Sequence, residues 1–143
     1  MIVVDASVAA KWVLPELHSD RALALVTSCM RTGQAITAPP LLPFEIANIL
    51  RQRMVRQTLS LSDADRLMAE FLVFSVSLVT PAGLYQRALA IADAYALPAA
   101  YDAHYLALAE AQGCALWTGD RRLLRALGGA LPFVQAIENH PTS

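Results

Sequence analysis

Five short runs along the chain are almost continuously apolar: IVVD at 2–5, AITAP at 35–39, VSLVT at 76–80, ALWT at 115–118 and PFVQAI at 132–137. A half-exposed strand alternates apolar and polar residues. Runs such as these instead predict parallel strands covered on both faces. Between them the apolar residues recur at helical spacing. The pattern predicts a helix capped by Ser19, running to about Thr32 and stopped by Gly33. A second runs from Leu42 to about Gln57, after the Pro39-Pro40 break. Ser62, with Asp65 three residues later, has the spacing of a capping box for a helix to about Phe74. Helices at 82–96 and 99–112 are parted at Pro98, and a short one at 121–127 stops at Gly128-Gly129. Residues 1–137 read as one domain and 138–143 as a loose tail.

Strands alternating with helices predict an α/β three-layer sandwich around an open parallel sheet of about five strands. Right-handed crossovers then bring the carboxyl ends of the strands to one edge. In the common 3-2-1-4-5 order the chain reverses direction between strands one and four, and ligands bind in the cleft outside that point. The first strand ends at Asp5. The fourth ends at Thr118, two residues before Asp120. Two acids are therefore expected to face each other across the reversal.

Bulk properties narrow the field. A hydrophobic fraction of 56% exceeds the soluble norm. Even so, no window holds the roughly 18 uninterrupted apolar residues of a membrane span. Asp5, Lys11 and Glu16 interrupt the N-terminal apolar stretch, and no basic segment precedes it, so a signal peptide is not expected. The surplus apolar content is expected in a doubly covered sheet and an oligomer interface. Cys29 and Cys114 form no CxxC and no histidines stand at ligand spacing, which argues against structural zinc and a disulfide framework. Two reduced, buried thiols in a cytoplasmic protein are expected. A net charge of −1 counts against a general nucleic-acid binder.

Four acids sit where a fold alone would favour an apolar residue. Asp5 and Asp120 stand at strand ends. Glu45 borders the stripe of Leu42, Ile46, Ile49 and Leu50, and Asp102 shares a helix face with Tyr105, Leu106 and Ala109. Each has a plainer role open to it. Asp5 and Asp120 can cap the helices that follow them, and Glu45 and Asp102 can complement a helix dipole. Gathered in one cleft, however, four carboxylates repel unless a cation intervenes. Oxygen ligands without His or Cys favour Mg²⁺ or Mn²⁺ over zinc. Such an ion activates water and stabilises charge on a phosphoryl oxygen. Hydroxyls at Ser7 and Thr118 can orient the carboxylates, or simply make local turns.

DAS at 5–7, PFEIAN at 43–48, YDAHYLALAEAQG at 101–113 and TGDRRL at 118–123 resemble PIN-domain ribonucleases, in particular VapC-type toxins of toxin–antitoxin pairs. The resemblance covers almost the whole chain in order. It implies a PIN-like, Rossmann-like fold and a Mg²⁺- or Mn²⁺-dependent endoribonuclease that cleaves RNA with a metal-activated water. It implies a site of Asp5, Glu45, Asp102 and Asp120 supported by Thr118 and Ser7, a homodimer, and inhibition by a small antitoxin. A non-catalytic module docking RNA or a protein is the rival reading. A phospho-receiver domain needs a lysine near its last strand, whereas the only lysine is Lys11.

The remaining polar groups are more ambiguous. Asn48, one turn beyond Glu45, either supports the metal site or bonds backbone. Arg121 and Arg122, just past Asp120, and Lys11, on the first helix, are candidate phosphate contacts, with a solvated surface as the alternative. His104 falls on a different helix face from Asp102 and is read as a satisfied or exposed histidine. Trp12 and Trp117 are read as core or interface residues.

Overall fold

In the computed structural model, which describes residues 1–142, five strands pair in parallel in the order 3-2-1-4-5. They are β1 (Ile2–Val4), β2 (Ile36–Ala38), β3 (Val76–Leu78), β4 (Ala115–Thr118) and β5 (Val134–Ala136). Ile2 lies beside Ile36 on one side and Ala115 on the other, which makes β1 the central strand. It is buried at every residue. The expectation of double cover fails at the edges. Ser77 and Leu78 of β3 are exposed and β5 is half-buried throughout, because an edge strand lacks a neighbour on one side.

Seven α-helices connect the strands among the described residues: α1 (Ala6–Ala9), α2 (Ser19–Thr32), α3 (Leu42–Val55), α4 (Leu61–Val73), α5 (Leu84–Ala94), α6 (Tyr101–Gln112) and α7 (Arg121–Leu127). Helix α6 packs on β1 and β4 and buries an unbroken run from Tyr105 to Ala109. Trp12 is a core residue. Its indole N–H donates to the Ala22 carbonyl at 3.1 Å, and its ring packs 5.0 Å from Phe74 and 6.4 Å from Phe71.

Two caps differ from expectation. Ser19 is the first residue of α2 and not its cap. Its hydroxyl turns back to donate to the Leu14 carbonyl (2.8 Å) and accept from the Glu16 amide (2.9 Å), fastening the preceding loop. The capping box of α4 is formed by Ser60 and Asp63, whose side chains and backbone amides bond reciprocally at 3.0 and 3.4 Å. The segment SLSDAD offers the same spacing twice. The earlier pair wins because it lengthens the helix by Leu61 and Ser62 with an equivalent cap.

Both cysteines are free, as expected, but Cys114 is only half-buried because it precedes β4 at the sheet's edge of entry. Residues expected to trail loosely from 138 are held at their start. Arg21 Nη1 donates to the His140 carbonyl at 2.5 Å, and the His140 ring stands edge-on to Trp117 at 5.0 Å. Ser143, the end of that expected tail, lies outside the described residues. Among the described residues no helix is long and apolar enough to cross a membrane.

The cap assignment has a direct test. Ser60→Ala is expected to cost about 1 kcal/mol in urea unfolding, and Ser62→Ala close to nothing, because only the former leaves a helix-start amide unbonded.

Candidate active site

Where β1 gives way to α1, Asp5 adopts extended backbone and caps the helix, its Oδ1 accepting from the Val8 amide at 3.2 Å. The same oxygen accepts from the Ser7 hydroxyl at 2.5 Å, and Oδ2 accepts from the Thr118 hydroxyl. Those hydroxyls are themselves held. Ser7 Oγ accepts from the Gly119 amide (2.7 Å) and Thr118 Oγ1 from the Asp120 amide (3.0 Å). The carboxyl ends of β1 and β4 are thus stitched together through one buried carboxylate.

Asp120 caps α7, with Oδ1 accepting from the Arg122 and Leu123 amides at 2.9 and 3.2 Å. The plainer capping roles are therefore real for both aspartates. Capping occupies one oxygen of Asp120 and leaves the other. Glu45 lies in the first turn of α3 and Asp102 in the first turn of α6. Tyr105 donates its hydroxyl to Glu45 Oε1 at 2.6 Å. Glu45, Asp102 and Asp120 line one cavity of about 300 Å³, walled also by Leu97, Tyr101 and Arg122.

The supporting residues divide. Ser7 and Thr118 join Asp5 as expected. Asn48 is exposed and lines an adjoining groove with Glu45, Phe44 and Tyr101. Arg122 stands on the acid cavity, whereas Arg121 lies 3.4 Å from Glu138. Lys11 is not the solvated surface residue that was its alternative reading: it is largely buried and pairs with Glu16 at 3.1 Å. His104 is satisfied, its Nδ1 2.6 Å from the Ala100 carbonyl. Sequence reasoning treated Tyr105 only as an apolar neighbour. The available signal was its phenol, since a tyrosine buried on the face of Asp102 must find a hydrogen-bond partner. Glu16 was read only as an interruption, although it stands five residues after the sole lysine.

The profile of the PIN domain family matches residues 2–128. The chain belongs to the PIN domain family. This PIN domain is 36% identical over 123 residues to the VapC ribonuclease Mb0985 of Mycobacterium bovis, spanning 86% of this chain and 88% of that protein. It is 33% identical over 127 residues to ribonuclease VapC3 of Pyrobaculum aerophilum, spanning 85% and 91% respectively. The crystal structure of PAE2754 from Pyrobaculum aerophilum matches with a TM-score of 0.68 at 26% identity, over 96% of this chain and 90% of that one. The VapC-type resemblance and the α/β fold it implied are both correct.

The PIN site is electrostatically unbalanced. Burial pushes the Asp5 carboxyl up to about 6, against three hydrogen bonds that pull it down and a smaller push from Asp102. Burial also raises Glu45, opposed by the Tyr105 bond and reinforced by Asp102. Asp102 is raised by burial and then by Asp120. Burial first, then the charge of Glu45, raises the Tyr105 phenol. Among the described residues no lysine or arginine forms an ion pair with any of these three carboxyls. Oxygen donors carrying uncompensated charge fit a hard dication in chemistry. They do not form a ready-made cage. Among the described residues no three His, Cys, Asp or Glu side chains are gathered closely enough to hold a metal ion. Both Asp5 oxygens and one Asp120 oxygen are instead engaged by protein donors.

A group lifted from its ordinary 3.8 to about 6 contributes stability fully below pH 3.8 and loses it as pH rises through 6. For Asp5 this amounts to about 3 kcal/mol. In chelator, the urea midpoint of this PIN domain is expected to fall between pH 4 and 6.5, and Asp5→Asn to flatten that fall. A midpoint rising across the same window in the wild type contradicts the assignment.

Proposed function

We propose that this PIN domain is an endoribonuclease dependent on Mg²⁺ or Mn²⁺ and the toxin of a toxin–antitoxin pair. The observation that carries the reading is the cleft lined by Glu45, Asp102 and Asp120, with Asp5 near enough to feel the charge of Asp102 and, among the described residues, no lysine or arginine ion-paired with any of the four. Its VapC relatives are named ribonucleases, which supports RNA as the substrate.

In this reading Asp5, Glu45, Asp102 and Asp120 would hold the ion. When bound, a dication supplies activation of water near neutral pH and neutralisation of charge growing on phosphoryl oxygens. The chain's own groups do the positioning. Ser7 and Thr118 fix Asp5, whose two oxygens have only one arrangement that satisfies both hydroxyls. Tyr105 steers Glu45 by binding one of its oxygens. Arg122, on the cleft wall, takes an RNA phosphate, with Arg121 further out on the same helix. Asn48 lies along the groove in which RNA leaves or enters beside Glu45. The catalytic unit spans residues 1–137, works in the cytoplasm as a homodimer and is silenced by a small antitoxin protein. Exposed Phe44 and Tyr101 beside Glu45 offer an apolar surface for such a partner.

The absence of an assembled three-acid group is also what a non-catalytic binding module would display. Incubation with total RNA separates the two. Cleavage is expected with Mg²⁺ or Mn²⁺ and not with chelator, with new 5′ ends mapping to single-stranded or loop positions. Asp102→Asn is expected to lower the rate by more than about 100-fold, beyond the effect typical of an outer partner. Asp120→Asn is expected to lose cleavage with unfolding stability unchanged within about 0.5 kcal/mol, because Asn caps a helix as well as Asp. Intact RNA under all metal conditions would favour the binding module.

A further inference from the structure

Outside the four acids, one charged cluster stands beside the cleft. Glu16 accepts from Lys11 Nζ at 3.1 Å and from Arg53 Nη2 at 2.6 Å, one carboxylate oxygen to each. The Lys11 side chain is only 12% exposed, against 28% for Arg53. Its stem lies on Gly119. A Cβ built there would sit 3.2 Å from Lys11 Cε and 3.4 Å from Ser7 Oγ, so the glycine leaves the space that the lysine fills. Ser7 is the residue that holds Asp5. The only lysine of the chain is thereby packed one residue from Asp120 and one side chain from Asp5.

Two cations on one carboxylate leave a net positive charge at this wall. Glu16 takes one donor from each, which leaves two on the ammonium and four on the guanidinium and fixes their direction. Holding the long lysine side chain in this one place costs it rotamer entropy. Partly exposed ion pairs such as these contribute little to stability, which makes the cluster a poor stabilising device. Beside a cleft lined by acids, an anion already neutralised by its own chain would gain nothing from it. A phosphate would gain a great deal.

We propose that Lys11, laid on Gly119, oriented by Glu16 and flanked by Arg53, binds a backbone phosphate of RNA next to the bond being cleaved. This rests on the ribonuclease reading and adds to it a residue that seats the strand beside Gly119 and Asp120. The cluster recognises phosphate and sugar backbone, not bases, so its contribution is the same for every RNA sequence.

The test is fluorescence anisotropy of a labelled single-stranded RNA in chelator, where no metal-dependent cleavage intervenes, from 50 to 200 mM salt. Lys11→Met keeps an apolar stem over Gly119 and removes the charge. It is expected to weaken binding roughly 5- to 10-fold and to reduce the slope of log affinity against log salt by about 0.7, the value of one single-strand phosphate. Lys11→Arg is expected to restore both. With Mg²⁺ present, Lys11→Met should raise KM and leave kcat within about 2-fold, since a ground-state phosphate contact is what is removed. If Lys11→Met fails to fold, Arg53→Gln, which leaves the Gly119 packing intact, carries the same binding and salt readouts. A variant that binds RNA with wild-type affinity and slope while the wild type cleaves overturns the phosphate site and leaves the ribonuclease intact. A wild type that neither binds nor cleaves RNA overturns both.

Discussion

The site depends on one buried carboxylate that the fold cannot easily accommodate. Asp5 is 4% exposed, at the end of the strand with the deepest burial. Hydrogen bonds to a charged group contribute about 1.5–3 kcal/mol each, and Asp5 receives three from Ser7, Val8 and Thr118. The carboxyl nevertheless remains raised, so desolvation exceeds what those donors return. The chain does not relieve the imbalance with a lysine or arginine. It directs Lys11, whose stem packs at Gly119 beside Ser7, to Glu16. That restraint makes sense when the missing charge is to be supplied from outside, and it ties the geometry of β1 and β4 to the electrostatics of the cleft.

Much of this was legible in the sequence because parallel sheets constrain chains strongly. Continuous apolar runs, helical spacing between them and right-handed crossovers leave few topologies, and the 3-2-1-4-5 order then places the ends of β1 and β4 side by side. Asp5, Thr118 and Asp120 could be located from that rule alone. Less accessible were features set by competition among local alternatives. Ser60 and Ser62 present the same capping pattern, and no periodicity separates them. Ser19 has a capping residue's identity but finds a better acceptor in Leu14. Tyr105 meets Glu45, and Arg53 meets Glu16, across packed elements, which composition and spacing do not reveal.

Capping and chemistry turned out not to be alternatives. A helix start needs an oxygen acceptor, and a cleft at the carboxyl edge of a parallel sheet is bordered by helix starts. An aspartate at such a position answers both demands, as Asp120 does with one oxygen on the amides of Arg122 and Leu123 and a second oxygen to spare. Asp102 and Glu45, in the first turns of α6 and α3, receive no helix cap bond and instead enjoy the favourable end of a helix dipole. Three helix beginnings, those of α3, α6 and α7, border the cleft. Their combined positive ends lower the cost of assembling negative charge there without neutralising it.

A net charge of −1 hides an uneven distribution of charge. Set aside Asp5, Glu45, Asp102 and Asp120, and the other eight acids face eleven basic residues, a surplus of three positive charges. Several acids in that remainder are already occupied: Asp63 and Glu70 by Arg66, Glu110 by Arg87, and Glu138 by Arg121. Arginines such as Arg51, Arg56 and Arg122 make no ion pair among the described residues. Salt screens exposed charges beyond about 8–10 Å, so a polyanion responds to the charges near the cleft and not to the sum over the chain. A dication in the cleft would remove half of the negative charge concentrated there. What reads as near-neutral in composition is, on this view, a basic surface folded around an acidic socket.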